Sequence, residues 1–102
     1  MIEVRIPETI KVGGFDFKIE FSPQHDVELK ENQNYGECSH RLKRIRIETD
    51  LSPQQLSETV IHEFVHAVDG VYCNYKLTED ETKQLGNGLL QILEQLGIRF
   101  VR

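Results

Sequence analysis

Apolar and polar residues alternate along the first half of the chain. Ile2, Val4 and Ile6 are separated by Glu3 and Arg5, and Phe15, Phe17, Ile19 and Phe21 by Asp16, Lys18 and Glu20. This period of two is the signature of half-buried strands. Gly13 and Gly14 stand between Ile10, Val12 and the second run, so the pattern predicts a hairpin near the N-terminus. Ser22 to Asn34 is polar and carries no period. Two further short strands are predicted at Tyr35 to Ser39 and Ile45 to Glu48, joined around Arg41 to Lys43. Arg44 to Glu48 reads cation, Ile, cation, Ile, anion, with one face buried and the other wet, which suits an edge strand.

The second half changes period. Ser52 is a candidate N-cap with Pro53 at the first helical position. Leu56, Val60, Ile61 or Phe64, and Ala67 or Val68 recur at intervals of three and four, so a helix should run to about Asp69, where Gly70 supplies a left-handed stop. A second helix starts at Thr78, and Leu85, Leu89, Ile92, Leu93 and Leu96 carry an apolar stripe to Gly97. Ile98 to Arg102 forms either a short terminal strand or a tail packed on the core. The expected class is α+β, with a small N-terminal antiparallel sheet of about four strands followed by an antiparallel helix pair.

A length of 102 residues fits one domain spanning 1–102. Hydrophobic residues make up 38% and charged residues 28% of the chain, a globular balance. No apolar run exceeds three residues, far from the roughly 20 of a membrane span or the roughly 7 to 15 of a signal-peptide core. That disfavours a membrane or secreted protein and points to the cytoplasm. The formal charge of −5 argues against phosphate neutralisation as a source of binding energy. Arg41, Lys43, Arg44 and Arg46 are the one basic cluster, too small to reverse that field, so a nucleic-acid partner is not expected. Cys38 and Cys73 match no zinc-knuckle or redox spacing and read as reduced thiols.

The residues that carry chemistry are His62, Glu63, Phe64, Val65 and His66, an H-E-x-x-H pattern on the first predicted helix. Imidazoles four apart stand about one turn apart on one face, where both can reach one metal, and the intervening Glu63 is turned toward the open coordination position as a general base. Catalytic zinc normally takes three protein ligands, so a third must come from elsewhere. The metzincin pattern is excluded, because its third histidine and central glycine positions hold Tyr72 and Asp69. Asp69 lies too far along the helix to share the metal and is either an acceptor for His66 or a helix-end group. Glu79 and Glu81, at the start of the last helix, are the remaining choices. Glu81 is three after Thr78, and a capping box accounts for it, which favours Glu79.

His62 to His66, followed by Glu79-Asp80-Glu81-Thr82-Lys83-Gln84-Leu85-Gly86-Asn87-Gly88-Leu89-Leu90, resembles the H-E-x-x-H and E-x-x-A-N-x-F-A-x-x-L-L segments of the ImmA/IrrE-like metallopeptidases, with Thr82, Lys83 and Gly86 replacing Ala, Asn and Ala. The chain is also similar to small single-domain gluzincin-like proteins of phages and bacterial mobile elements. The resemblance covers roughly residues 10 to 96, and it implies a minimal zincin-like fold with His62, His66 and Glu79 as zinc ligands and Glu63 as general base.

The expected activity is zinc-dependent endopeptidase cleavage of a protein or peptide substrate, with an extended peptide paired to the edge around Arg44 to Glu48. Tyr35, His40, Tyr72 and Tyr75 have the right chemistry to stabilise a carbonyl oxygen. The alternative is a zinc-containing peptide- or protein-binding module that hydrolyses little; the intact Glu63 favours the enzyme. A basic-patch adaptor built on Arg41 to Arg46 is the third reading.

Overall fold

A computed structural model describes residues 1–102. The alternating segments are strands: β1 (Ile2–Arg5), β2 (Thr9–Val12) and β3 (Phe15–Phe21). β2 and β3 form the expected hairpin, with Val12 opposite Phe15 and Gly13 in the left-handed region at φ 61° that the two-residue turn needs. Then come helix α1 (Pro23–Glu31), β4 (Gly36–Ser39), β5 (Arg44–Ile47), α2 (Pro53–Tyr72), α3 (Glu79–Gln95) and β6 (Ile98–Val101). The class is α+β.

The sheets differ from the expected antiparallel arrangement. The larger one has the order β2-β3-β5-β4 and is mixed, because β3 and β5 run parallel while the outer pairs are antiparallel. The cause is α1. It carries the chain away after β3, so that β4 enters at the far edge and β5 returns between β4 and β3. The apolar period gave no sign of this helix, which buries only Asp26 and Leu29. Its start is nevertheless written in the sequence, as Ser22 caps the Gln24 N–H at 3.3 Å and Pro23 occupies the first turn.

β5 is therefore a central strand and not an edge. Its alternation reports two unlike faces, which is a separate property from lateral position. Ile45 and Ile47 are fully buried on one face, and on the other the basic residues are held by acids. Arg46 pairs with Glu28 at 2.9 Å and Glu37 at 3.0 Å, and Arg44 with Glu20 at 4.0 Å. The terminal residues form a strand, β6, which pairs with β1 in parallel from Ile2 opposite Ile98 to Arg5 opposite Val101.

Phe17, Ile19, Ile45 and Ile47 from the sheet meet Leu56, Val60 and Ala67 from α2, with Ile6 at the margin. α2 is thus the central element, lying on the sheet with one face while α3 folds back along another. α2 also runs past its predicted stop. Gly70 is helical, and the left-handed residues are Asn74 and Tyr75, at φ 54° and 59°. A Cβ at Gly70 would overlap the His40 ring, so the glycine provides room for a side chain instead of a turn.

α3 departs from its hydrophobic pattern. Its buried positions are Thr82, Gly86 and Leu90, while Leu85, Leu89, Ile92 and Leu96 are 46–63% exposed. The face turned to α2 carries Thr82, Gly86 and Leu90, and the Cβ position of Gly86 lies 3.7 Å from the His62 Cα, an ordinary van der Waals distance.

α1 is tied to the body mainly by Asp26, whose carboxylate accepts from both the backbone N–H and the hydroxyl of Thr49. The hydroxyl bond is the leading reason that its pKa lies below the ordinary carboxylate value. A lowered folded-state pKa contributes stability above the unfolded value near 4, and that contribution is lost as pH falls through the folded value. Asp26→Ala should lower the unfolding free energy at pH 7 by about 1 to 3 kcal/mol, the cost of leaving buried donors without a partner. The deficit should shrink toward pH 2 in urea titrations; a deficit of equal size at both pH values would contradict this role.

Candidate metal centre

α2 is anchored by a reciprocal capping box, in which the Gln55 N–H donates to Ser52 Oγ at 3.2 Å and the Ser52 N–H to Gln55 Oε1 at 3.3 Å. From this fixed start, His62 and His66 fall on one face a turn apart, their rings edge to face with centroids 4.7 Å apart. Their Nε2 atoms are separated by 3.1 Å. Glu79 Oε1 lies 2.9 Å from His62 Nε2, and Oε2 lies 3.2 Å from His66 Nε2.

Glu79 arrives there because the α2–α3 connection is tightly specified. The buried Asp69 carboxylate accepts the Leu77 N–H at 3.2 Å, and its carbonyl accepts the Cys73 and Tyr75 N–H groups at 2.9 and 3.2 Å. Asp69 is thus a helix-end group holding the turn. Thr78 then caps α3, giving its N–H to Glu81 Oε1 at 2.9 Å while its hydroxyl accepts the Glu81 N–H at 3.1 Å. Glu81 is turned to that cap. Glu79, the first residue of the helix, is left facing the two histidines.

The three side chains form a group that can hold a metal ion, with donor atoms all within 4.8 Å of one another. Bonds of roughly 2.0 to 2.1 Å to a tetrahedral ion place neighbouring donors about 3.3 Å apart. The two imidazole nitrogens, 3.1 Å apart, are close to that spacing, and each has a different Glu79 oxygen beside it, at 2.9 and 3.2 Å. Burial lowers the pKa of the His66 imidazole below its ordinary value, opposed by the Glu79 carboxylate and assisted by His62 beside it.

Glu63 points into the interior side of the cleft and is 4% exposed. Burial, and after it the charges of Glu79 and Glu37, push its pKa up to about 8. The carboxylate fits under β4 because residue 36 is glycine. A Cβ there would lie 2.7 Å from Thr59 Cγ2 and 3.2 Å from Glu63 Oε2.

Two cavities meet at this point, and Asn34, Gly36, His62 and Glu63 line both. The larger, about 560 Å³, continues past His66 and Glu79 to Cys38, His40 and Tyr75. The smaller, about 360 Å³, runs under Tyr35 and along the other flank of α3. His40 packs edge-on between Phe17 and Tyr75, at centroid distances of 6.3 and 4.9 Å, and burial lowers its pKa. Among the four proposed carbonyl-oxygen partners, His40, Tyr75 and Tyr35 line the cleft. Tyr72 does not; its hydroxyl lies over the Gly13 turn.

Asn34, Gly36, Cys38, Lys83 and Asn87 also line the cleft, and the motif-based reading did not include them as site residues. Only Gly36 carried a signal, since a glycine in a strand often marks a close approach of another group. The basic cluster is largely absorbed within the fold: Arg44 and Arg46 are in ion pairs, and Lys43 lies 4.7 Å from the Phe15 ring centroid.

Comparison with known proteins finds no matching family model, no matching curated protein and no matching solved structure. No helix is long and apolar enough to cross a membrane.

The ligand set has a direct check in metal analysis of the untagged protein. His62→Ala and His66→Ala should each abolish stoichiometric binding of a divalent metal. Glu79→Ala should weaken binding clearly, whereas Glu81→Ala should keep the metal and lower the Tm slightly through the loss of its half of the capping box. Normal metal content in either histidine variant would remove the site, and the reverse order of the two glutamates would move the third ligand to Glu81.

Proposed function

We propose that the protein is a zinc-dependent endopeptidase, the zinc held by His62, His66 and Glu79. The observation that carries this reading is the buried Glu63 carboxyl set between two ligand histidines, at the meeting point of two cavities. A site built only to bind metal has no need of a buried base in that position. The motif resemblance to the ImmA/IrrE-like metallopeptidases supports the same assignment.

Zinc held by His62, His66 and Glu79 would supply Lewis acidity to the attacking water and the scissile carbonyl. Glu63 accepts a proton from the attacking water as the new carbon–oxygen bond forms. It then delivers that proton to the amide nitrogen as the carbon–nitrogen bond breaks. His40 and Tyr75 line the same cavity as His66 and have the right chemistry to meet the carbonyl oxygen.

With β5 central, the substrate strand pairs with β4 instead. β4 has a partner on one side only and runs past Gly36 and Cys38 along the cleft. An extended peptide added to that free edge is held through its backbone and crosses Glu63. The two free thiols, Cys38 and Cys73, suit a reducing cytoplasmic setting for this activity.

Glu63→Gln separates binding from chemistry. The amide keeps the size and much of the hydrogen bonding of the acid but cannot accept the proton, so zinc content and fold should be retained while peptide cleavage falls by roughly 10²-fold to 10⁴-fold. A mixed-peptide library read by mass spectrometry measures both proteins at matched zinc content. Equal cleavage by the two would assign the activity to another base or a contaminant. Absence of cleavage by either would favour a zinc-containing binding module.

A further inference from the structure

The two arms of the cleft differ in chemistry. The smaller arm, about 360 Å³, has a single hydrophobic lining residue, Tyr35, and is otherwise furnished by polar groups such as Gln33, Asn34, Glu58, Lys83 and Asn87. It begins at His62 and Glu63, so a side chain next to the scissile bond enters it directly. We propose that this arm is a specificity pocket for a carboxamide side chain, glutamine or asparagine, selected jointly by Lys83 and Glu58. The inference rests on the peptidase reading of the same site and names its substrate class.

The selection follows from donor and acceptor inventory. The Lys83 ammonium can only donate hydrogen bonds, and the Glu58 carboxylate can only accept them. Glu58 has just a long contact from Gln54, at 3.5 Å, and remains available. A leucine or phenylalanine side chain would displace water from both groups and offer nothing in return, which is unfavourable for every polar group covered. A carboxylate would satisfy Lys83 and lie unfavourably beside Glu58; an ammonium would do the reverse. A carboxamide carries one acceptor oxygen and two N–H donors, so it alone among these serves both groups.

The pocket is placed by the same elements as the metal ligands. Lys83 is one turn after Glu79 on α3, and Glu58 one turn before His62 on α2. The third wall is the α1–β4 turn, held by the Gln33 N–H on the Lys30 carbonyl at 3.1 Å and the Asn34 N–H on the Leu29 carbonyl at 2.8 Å. Gln33 adopts a left-handed φ of 58° there. Gln33 and Asn34 on this turn and Glu58 and Lys83 on the two helices thus border one space from three sides, so a side chain that pairs with both charges is favoured over one that pairs with neither.

The test uses the zinc-loaded protein and peptides identical except at the residue on either side of the cleaved bond, occupied in turn by Gln, Glu, Lys or Leu. On one side, the Gln peptide should have a kcat/KM at least about tenfold above the Leu peptide, with Glu and Lys below Gln. Lys83→Met and Glu58→Leu, both exposed positions, should each reduce the Gln-to-Leu ratio by about fivefold or more at unchanged zinc content and Tm. Fluorescence anisotropy with zinc-loaded Glu63→Gln should show the same order in peptide affinity, a readout independent of turnover. Zinc-dependent cleavage that prefers Leu, or a ratio indifferent to both substitutions, would overturn the pocket and leave the peptidase reading standing. Failure of the protein to bind or cleave any library peptide would overturn both.

Discussion

A buried carboxylate at the end of α2 decides where α3 begins. Asp69 is 5% exposed, and its side chain and carbonyl between them bind three backbone N–H groups of the following turn. Orphan groups at a helix end must find partners, and here one residue fixes the path by which the chain leaves α2 and re-enters a helix seven residues after Tyr72. The placement of Glu79 beside the two histidines follows from that path. Thr78 caps α3, Glu81 answers the cap, and Glu79 is the first-turn carboxylate that remains to face His62 and His66. An acidic residue in this position is also favoured by the positive end of the helix dipole, so local stability and ligand placement ask for the same side chain.

Much of this was legible in the residues. Period-two alternation located β1, β2, β3 and β5, and the Gly13–Gly14 pair located the hairpin, because strand faces and tight turns are local properties. The position of β5 within the sheet was not local. Arg44 and Arg46 alternate with buried isoleucines whether the strand is central or at an edge, and only the entry of β4 beyond it, after α1, settles the order. α1 itself has too little apolar surface to announce a period. The stripe on α3 shows the converse limit: amphipathicity predicts that a helix has an apolar side, but the side covered here carries Thr82, Gly86 and Leu90.

At the site, the histidine pair was legible because a spacing of four on a helix is a geometric statement in itself. Glu79 was separable from Glu81 through the capping box, a short-range signal that assigns one carboxylate a local partner. The second wall of the cleft was not legible. Asn34, Cys38 and Asn87 are unremarkable in sequence and come together only because β4 and the α1–β4 turn are brought over α2 by a crossover that the pattern did not reveal.

Three glycines bear on why so small a domain can assemble this centre. Gly36 lets β4 pass over Glu63, Gly70 admits the His40 ring against α2, and Gly86 brings α3 within van der Waals distance of the His62 backbone. Each lies at a contact with the histidine helix, from a different direction. A Cβ at Gly36 would come within 2.7 Å of Thr59 Cγ2, and one at Gly70 within 2.2 Å of the His40 ring, so at those two positions β4 or His40 would have to move away from α2. A larger protein can reach around such gaps with long loops. Here the distances between backbones are themselves the device, so the geometry of the His62, His66 and Glu79 group is set by the packing of α2 against its neighbours.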